Sequence, residues 1–198
     1  MSVKTVKTTQ GTEIVNPPLA RFLFDDTRLA ALWLIVRVYL GYQWIQASLH
    51  KLSDPGWMQT GDALKGFWAG AVAVNAQGKG AITYDWYRSF LQFLIDSGSY
   101  VGFAKIIACG EFLVGLGLIV GAFVGVAAFF GALMNWNFML AGSASTNPVL
   151  FLLAVLLILA WKTAGYYGVD RFLLPRLGTP WHRETAENKP VEAPVAVS

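Results

Sequence analysis

The sequence predicts an all-α fold, an integral membrane four-helix bundle, on three observations. Of its 198 residues, 55% are hydrophobic and only 14% charged, against about 25% charged in a typical soluble domain. Four stretches are apolar over lengths close to the ~20 residues that cross a hydrocarbon core. The last three are joined by short uncharged turns, "AFV" and "GSASTN", so neighbouring helices must run antiparallel.

The spans are expected at 28–50 ("RLAALWLIVRVYLGYQWIQASLH"), 101–121, 125–141 and 148–167. Between the first two lies an outer loop, 51–100, too polar and interrupted to cross. Two of its pieces, 58–74 and 84–96, space aromatics such as Trp86, Phe90 and Phe93 helically beside charges. These are expected as short interfacial helices. The N-terminal segment, 1–27, has no apolar core followed by a cleavage site and is not read as a signal peptide. After the fourth span, "GVDRFLLPRLG" should lie along the membrane surface, and the Pro-, Glu- and Ala-rich tail, 178–198, is expected to be disordered. Arg21, Arg28, Lys162, Arg171 and Arg176 collect on the side of the termini, while Lys51, Lys65, Lys79, Arg88 and Lys105 spread over the long loop. This places both termini in the cytoplasm of a multi-pass protein of the cell membrane.

The small net charge of +3, with basic residues scattered, argues against nucleic acid and fits contact with membrane lipid. A single cysteine, Cys109, rules out an internal disulfide, a CxxC pair or a thiolate cluster. His50 and His182 are far apart, so no metal or haem site is evident. "GLGLIVG" has the wrong spacing for a nucleotide fingerprint and no strand before it. Gly117, Gly121 and Gly125 instead form a small-residue stripe for close helix packing.

The informative residues are polar ones at membrane depth. Arg37 sits roughly 13 Å into the first span, Glu111 roughly 13 Å into the second, and Asn135 about 15 Å along the third. A lone charge there costs about 3 kcal/mol or more, so an Arg37–Glu111 pair is expected, with Asn135 or Asn137 completing its hydrogen bonds. Such a pair either fixes helix register or borders a quinone or proton site; alternatively Arg37 snorkels to the surface. On the first span, Tyr39, Gln43, Gln46 and His50 fall within about 60° of each other, a stripe that could hydrogen-bond a quinone head, pass protons or glue helices together. The candidate catalytic residues are therefore Glu111, His50 and Arg37, and the candidate quinone ligands Gln43, Gln46, Trp44 and Asn135. Lys51 and Lys105, with Arg88, would meet an anionic substrate at the outer surface.

The motifs "RVYLGYQWIQASLHKLSDPGW", "GEFLVGLGLIVGAFVGVAAFFGALMNWNFMLAG" and "NPVLFLLAVLLILAWKTAGYYGVDRFL", in that order, resemble the DoxX-type membrane proteins. That family includes the DoxD subunit of thiosulfate:quinone oxidoreductase. The resemblance covers roughly residues 28–177 and implies a four-span protein working beside another membrane or peripheral redox subunit. In the DoxD branch it implies oxidation of thiosulfate to tetrathionate, with electrons passed to a membrane quinone. Its polar positions fall on Arg37, Lys51, Glu111 and Asp170. Two functions follow as expectations: a quinone-linked redox subunit, or a non-catalytic scaffold packed against a larger respiratory or photosynthetic complex. A small-molecule carrier is disfavoured, because four spans without an inverted repeat offer no alternating-access frame.

Overall fold

The computed structural model describes residues 16–178. The expected tail from Thr179 onward and the first fifteen residues lie outside them. The described chain is helical, with a single isolated bridge between Val74 and Gly80. Its α-helices in order are α1 (Pro18–Ala20), α2 (Ala30–Ser53), α3 (Pro55–Met58), α4 (Asp62–Val72), α5 (Asp85–Asp96), α6 (Tyr100–Val120), α7 (Val124–Leu140), α8 (Asn147–Leu159), α9 (Trp161–Ala164) and α10 (Asp170–Arg176).

Helices α2, α6, α7 and α8 form one bundle, with α2 packed most extensively on α6 and α7 on α8. Its core holds Trp33, Leu40, Trp44, Leu118, Ala128 and Leu157. Gly41 and Gly115 make the tight α2–α6 crossing: a Cβ on Gly115 would lie 2.9 Å from the Gly41 carbonyl oxygen. Only glycine permits backbones to approach that closely. The contact also fixes the register, setting Gly41 level with Gly115 along the antiparallel pair.

The loop between α2 and α6 is a second, smaller layer. Asp54 accepts a hydrogen bond from the Gly56 amide, with Pro55 at the first position of α3, so the cap supplies an acceptor for one free amide and the proline has none to satisfy. Helix α4 then packs on both α5 and α6, in a cluster with Leu64, Trp68, Tyr87, Leu91, Leu94 and Ala104. Along α5 those inward positions recur at i, i+4 and i+7, which accounts for a helix there. Trp86, Phe90 and Phe93 occupy a neighbouring, exposed stripe.

Among the described helices, α6 alone is both long and apolar enough to cross a membrane by itself. The expected fourth span is not one helix. It stops at Leu159, and after Ala160 the single turn α9 bends the chain back. The bend lets Gly168 pass against the α6–α7 turn, where a Cβ would sit 2.8 Å from the Gly121 Cα. Residues 18–27, expected as part of the cytoplasmic N-terminal segment, are docked on the same end of the bundle. The Trp33 indole donates to the Leu23 carbonyl at 2.9 Å, the Thr163 hydroxyl to the Phe24 carbonyl at 2.9 Å, and Lys162 pairs with Asp25 at 3.1 Å.

Candidate functional site

Glu111 is 1% exposed, and its partner is Lys51. The Lys51 Nζ donates to both carboxylate oxygens, at 2.7 and 2.6 Å. Two aromatic rings complete the surroundings of the ammonium, Trp57 at 5.1 Å and Phe138 at 5.8 Å from their centroids. Rings in that position stabilise a cation by about 0.5–2 kcal/mol each. The pair sits at one end of α2, where Lys51 keeps a partial opening to the surface while Glu111 does not.

The expected Arg37–Glu111 pair does not form, for a reason of register and direction. With Gly41 level with Gly115, Arg37 lies level with Ile119, about 12 Å from Glu111 along the axis. Side chains on a helix lean toward its N-terminus. In an antiparallel pair, Arg37 therefore leans further from Glu111, while Lys51 and Glu111 lean toward each other across a gap of about 9 Å. Asn135 and Asn137 do not complete the pair either. Asn135 is buried with no hydrogen-bond partner on either amide atom, and Asn137 donates to Leu133 O at 2.8 Å.

Arg37 instead organises the opposite end of the bundle. Its guanidinium donates to the carbonyls of Leu118 at 3.0 Å and Tyr167 at 2.7 Å. Those carbonyls lie at the end of α6, in its last turn, and beyond α9, so one side chain ties three segments together. Asp170 stands beside it and accepts the amide hydrogens of Phe123 at 2.6 Å and Val124 at 2.8 Å. A residue 46 positions away thus caps the start of α7, whose N–H groups lack intrahelical partners. Burial pushes the Asp170 carboxyl up from its ordinary value; the two amide bonds and the Arg37 charge oppose that only in part. The four polar positions Arg37, Lys51, Glu111 and Asp170 thus sort into two centres, one at each end.

A third feature lies between α6 and α7, roofed by α4 and α5: an apolar cleft of about 820 Å³. Its walls include Trp68, Phe103, Leu113, Gly117, Phe130 and Met134. Phe138 lines it too, so one aromatic ring borders both the cleft and Lys51. The polar side chains on its wall are Tyr87 and Asn137. The Tyr87 hydroxyl donates to Asn137, at 3.1 Å to its carbonyl and 3.2 Å to its side-chain oxygen. Burial pushes the Tyr87 phenol up to about 12, above the ~10 of a free tyrosine. The folded state therefore favours the neutral phenol. Stability on this account is whole below pH about 10 and falls as pH rises toward 12. An ultraviolet titration is expected to show one phenol ionising last, near pH 12, and Tyr87→Phe to remove that step.

The remaining sequence candidates are dispersed. His50, Gln46 and Lys105 are exposed, and Gln43 donates to the Tyr39 hydroxyl at 3.0 Å on an open face of α2. Arg88 is engaged with Asp85 at 2.7 Å and with the Ile82 carbonyl at 2.7 Å. Trp44 is buried, with its indole nitrogen unpartnered. Of the four candidate quinone ligands, Gln43, Gln46, Trp44 and Asn135, none lines the cleft; α2 contributes nothing to its walls. Tyr87 carries no motif, and its sequence signal is limited to the inward helical stripe it shares with Leu91 and Leu94. Among the described residues no group of three or more His, Cys, Asp or Glu is placed to hold a metal ion. No family model, curated protein or solved structure matches the chain.

Proposed function

We propose that the protein is a multi-pass membrane subunit of a quinone-linked redox system, with α2, α6, α7 and α8 as its spans and thiosulfate as the electron donor to test first. The observation that carries this is the apolar cleft lined by Phe138, with Lys51 on that ring and the buried Glu111 bonded to that lysine. Membrane embedding is supported by the outward side chains of all four helices, such as Ile35, Leu113, Phe129 and Leu152, which are large, apolar and exposed. In water so continuous an apolar belt would be an aggregation surface. Both termini are read as cytoplasmic from the distribution of Lys and Arg.

The residues fit a long-chain quinone in shape and polarity, since ligand clefts of about 300–1,000 Å³ with apolar walls and few polar groups are the usual form. A bound quinone would supply a two-electron, two-proton acceptor. Glu111, bonded to Lys51 and next in sequence to the cleft-lining Gly110, is a group that can hold or release a proton near that cleft. The partly open Lys51 ammonium and the exposed Lys105 present positive charge to an anionic donor such as thiosulfate. The DoxX-type resemblance adds the same assignment, with a further redox subunit as partner.

Membranes carrying the protein are expected to reduce a soluble quinone analogue when thiosulfate is added. Glu111→Gln should assemble normally and lose most of that turnover. A second reading, a scaffold subunit of a larger complex, is favoured by the pairing of both charged centres within the chain, Lys51 with Glu111 and Arg37 with the Leu118 and Tyr167 carbonyls. No turnover in wild-type membranes, with the protein recovered in a larger complex, would select it.

A further inference from the structure

We propose that Tyr87 is the head-group ligand of the cleft: a long-chain quinone lies tail-down between α6 and α7, with the Tyr87 hydroxyl donating to its ring carbonyl. This rests on the quinone-linked function above and assigns the place and residue of binding. Three observations point to it. The polar end of the cleft is set by Tyr87 and Asn137, and the wall of α7 from Asn137 down to Val126 is apolar over about 16 Å, the dimensions of a head and a tail. No charged side chain lines it, so a charged lipid head would be stripped of water without a partner, whereas a neutral carbonyl needs one donor. The cleft is also bordered by Leu113, Leu116, Phe123, Val126, Phe130 and Leu133, all outward-facing and exposed, so its occupant enters from hydrocarbon.

The donor is available. The Tyr87 proton is shared between two Asn137 oxygens, both beyond 3.0 Å, and a hydroxyl turns freely from such long acceptors to a better-placed one. Like any phenol it is protonated at physiological pH, and so is a donor. The cleft that holds the head shares the Phe138 ring with Lys51.

The test is decylubiquinone binding to the full chain in phosphatidylcholine nanodiscs, followed by quenching of tryptophan fluorescence, since Trp68 lines the cleft. Tyr87→Phe should weaken binding roughly 10-fold, the effect of one buried hydrogen bond. Gly110→Leu should abolish saturable binding. Gly110 is on the cleft wall, and a Cβ there meets only Met134 Sδ, at 3.8 Å, so the added side chain fills the cleft without disturbing the bundle. Wild-type affinity in both variants would overturn the proposal. So would a phospholipid that co-purifies with the wild type, is lost from Gly110→Leu, and leaves decylubiquinone binding unchanged. Binding that depends on Tyr87 and Gly110, in a protein without thiosulfate-dependent turnover, would uphold the site and sink the redox function. Turnover unaffected by either variant would do the reverse.

Discussion

Lys51→Ala is expected to destabilise the protein by about 3–5 kcal/mol, the effect of leaving a buried charge without its partner. Glu111 is 1% exposed, and both its oxygens bond to the one ammonium. No other described cation reaches it, since Arg37 is held at the far end of α6 by the Leu118 and Tyr167 carbonyls. Removing the lysine therefore strands the carboxylate in a low-dielectric layer, where it must take up a proton or draw in water. Glu111→Gln should be milder, because Lys51 is partly open and its ammonium can turn to solvent. The double change Lys51→Met with Glu111→Leu should recover most of the loss, as apolar replacement of a buried pair often does. Detergent-titrated unfolding in micelles, followed by helical circular dichroism, measures all three. Lys51→Ala within about 0.5 kcal/mol of wild type would mean the pair contributes nothing to the fold.

Gly121→Ala carries the second large effect, expected at about 3 kcal/mol or more. Its backbone is left-handed at φ 74°, and a Cβ would stand 1.9 Å from the Arg37 Nη1. Left-handed backbone alone disfavours alanine by about 1–2 kcal/mol. A guanidinium can normally step aside, but this one is 1% exposed and pinned by carbonyls from two segments. Displacing it also loosens Asp170, which depends on the same turn: its amide donates to Gly121 O at 2.8 Å while its carboxylate caps α7. The loss should therefore appear first at the α6–α7 turn and the α10 segment. Hydrogen exchange is expected to show the Phe123 and Val124 amides exposed in Gly121→Ala before the rest of α7 opens. Uniform exchange across the bundle would show that the turn is not a separate weak point.

The helices themselves were legible. Apolar runs placed α2, α6 and α7 to within a few residues, because a helix that buries one face and exposes another apolar face to its surroundings must be apolar nearly all round. The charges at depth were legible in part: Arg37 and Glu111 stood out as residues needing partners, whereas Lys51 was expected at the outer surface and Asp170 entered only through the DoxX-type resemblance. What sequence could not give was which partner. Depth estimated from each span's own end treated both helices as one thickness, but α2 runs 24 residues, about 36 Å, so positions counted from opposite ends did not meet. The break after Leu159 was less visible, because Ala160 and Trp161 carry the apolar run past it to Lys162, and the docking of Gly168 on Gly121 is a tertiary contact.

By itself, then, the sequence determined an all-helical chain and three of its buried polar groups, Arg37, Glu111 and Asn135, since composition and period are local properties of the residues. The tertiary structure decided the pairing, through two facts that no local pattern encodes. The Gly41–Gly115 crossing fixes how far one helix slides along the other. The lean of side chains toward each helix N-terminus then brings Lys51 and Glu111 together and turns Arg37 toward Asp170. The cleft belongs to the same class: it is the space left where α4 and α5 roof the α6–α7 seam, and space between elements has no sequence of its own.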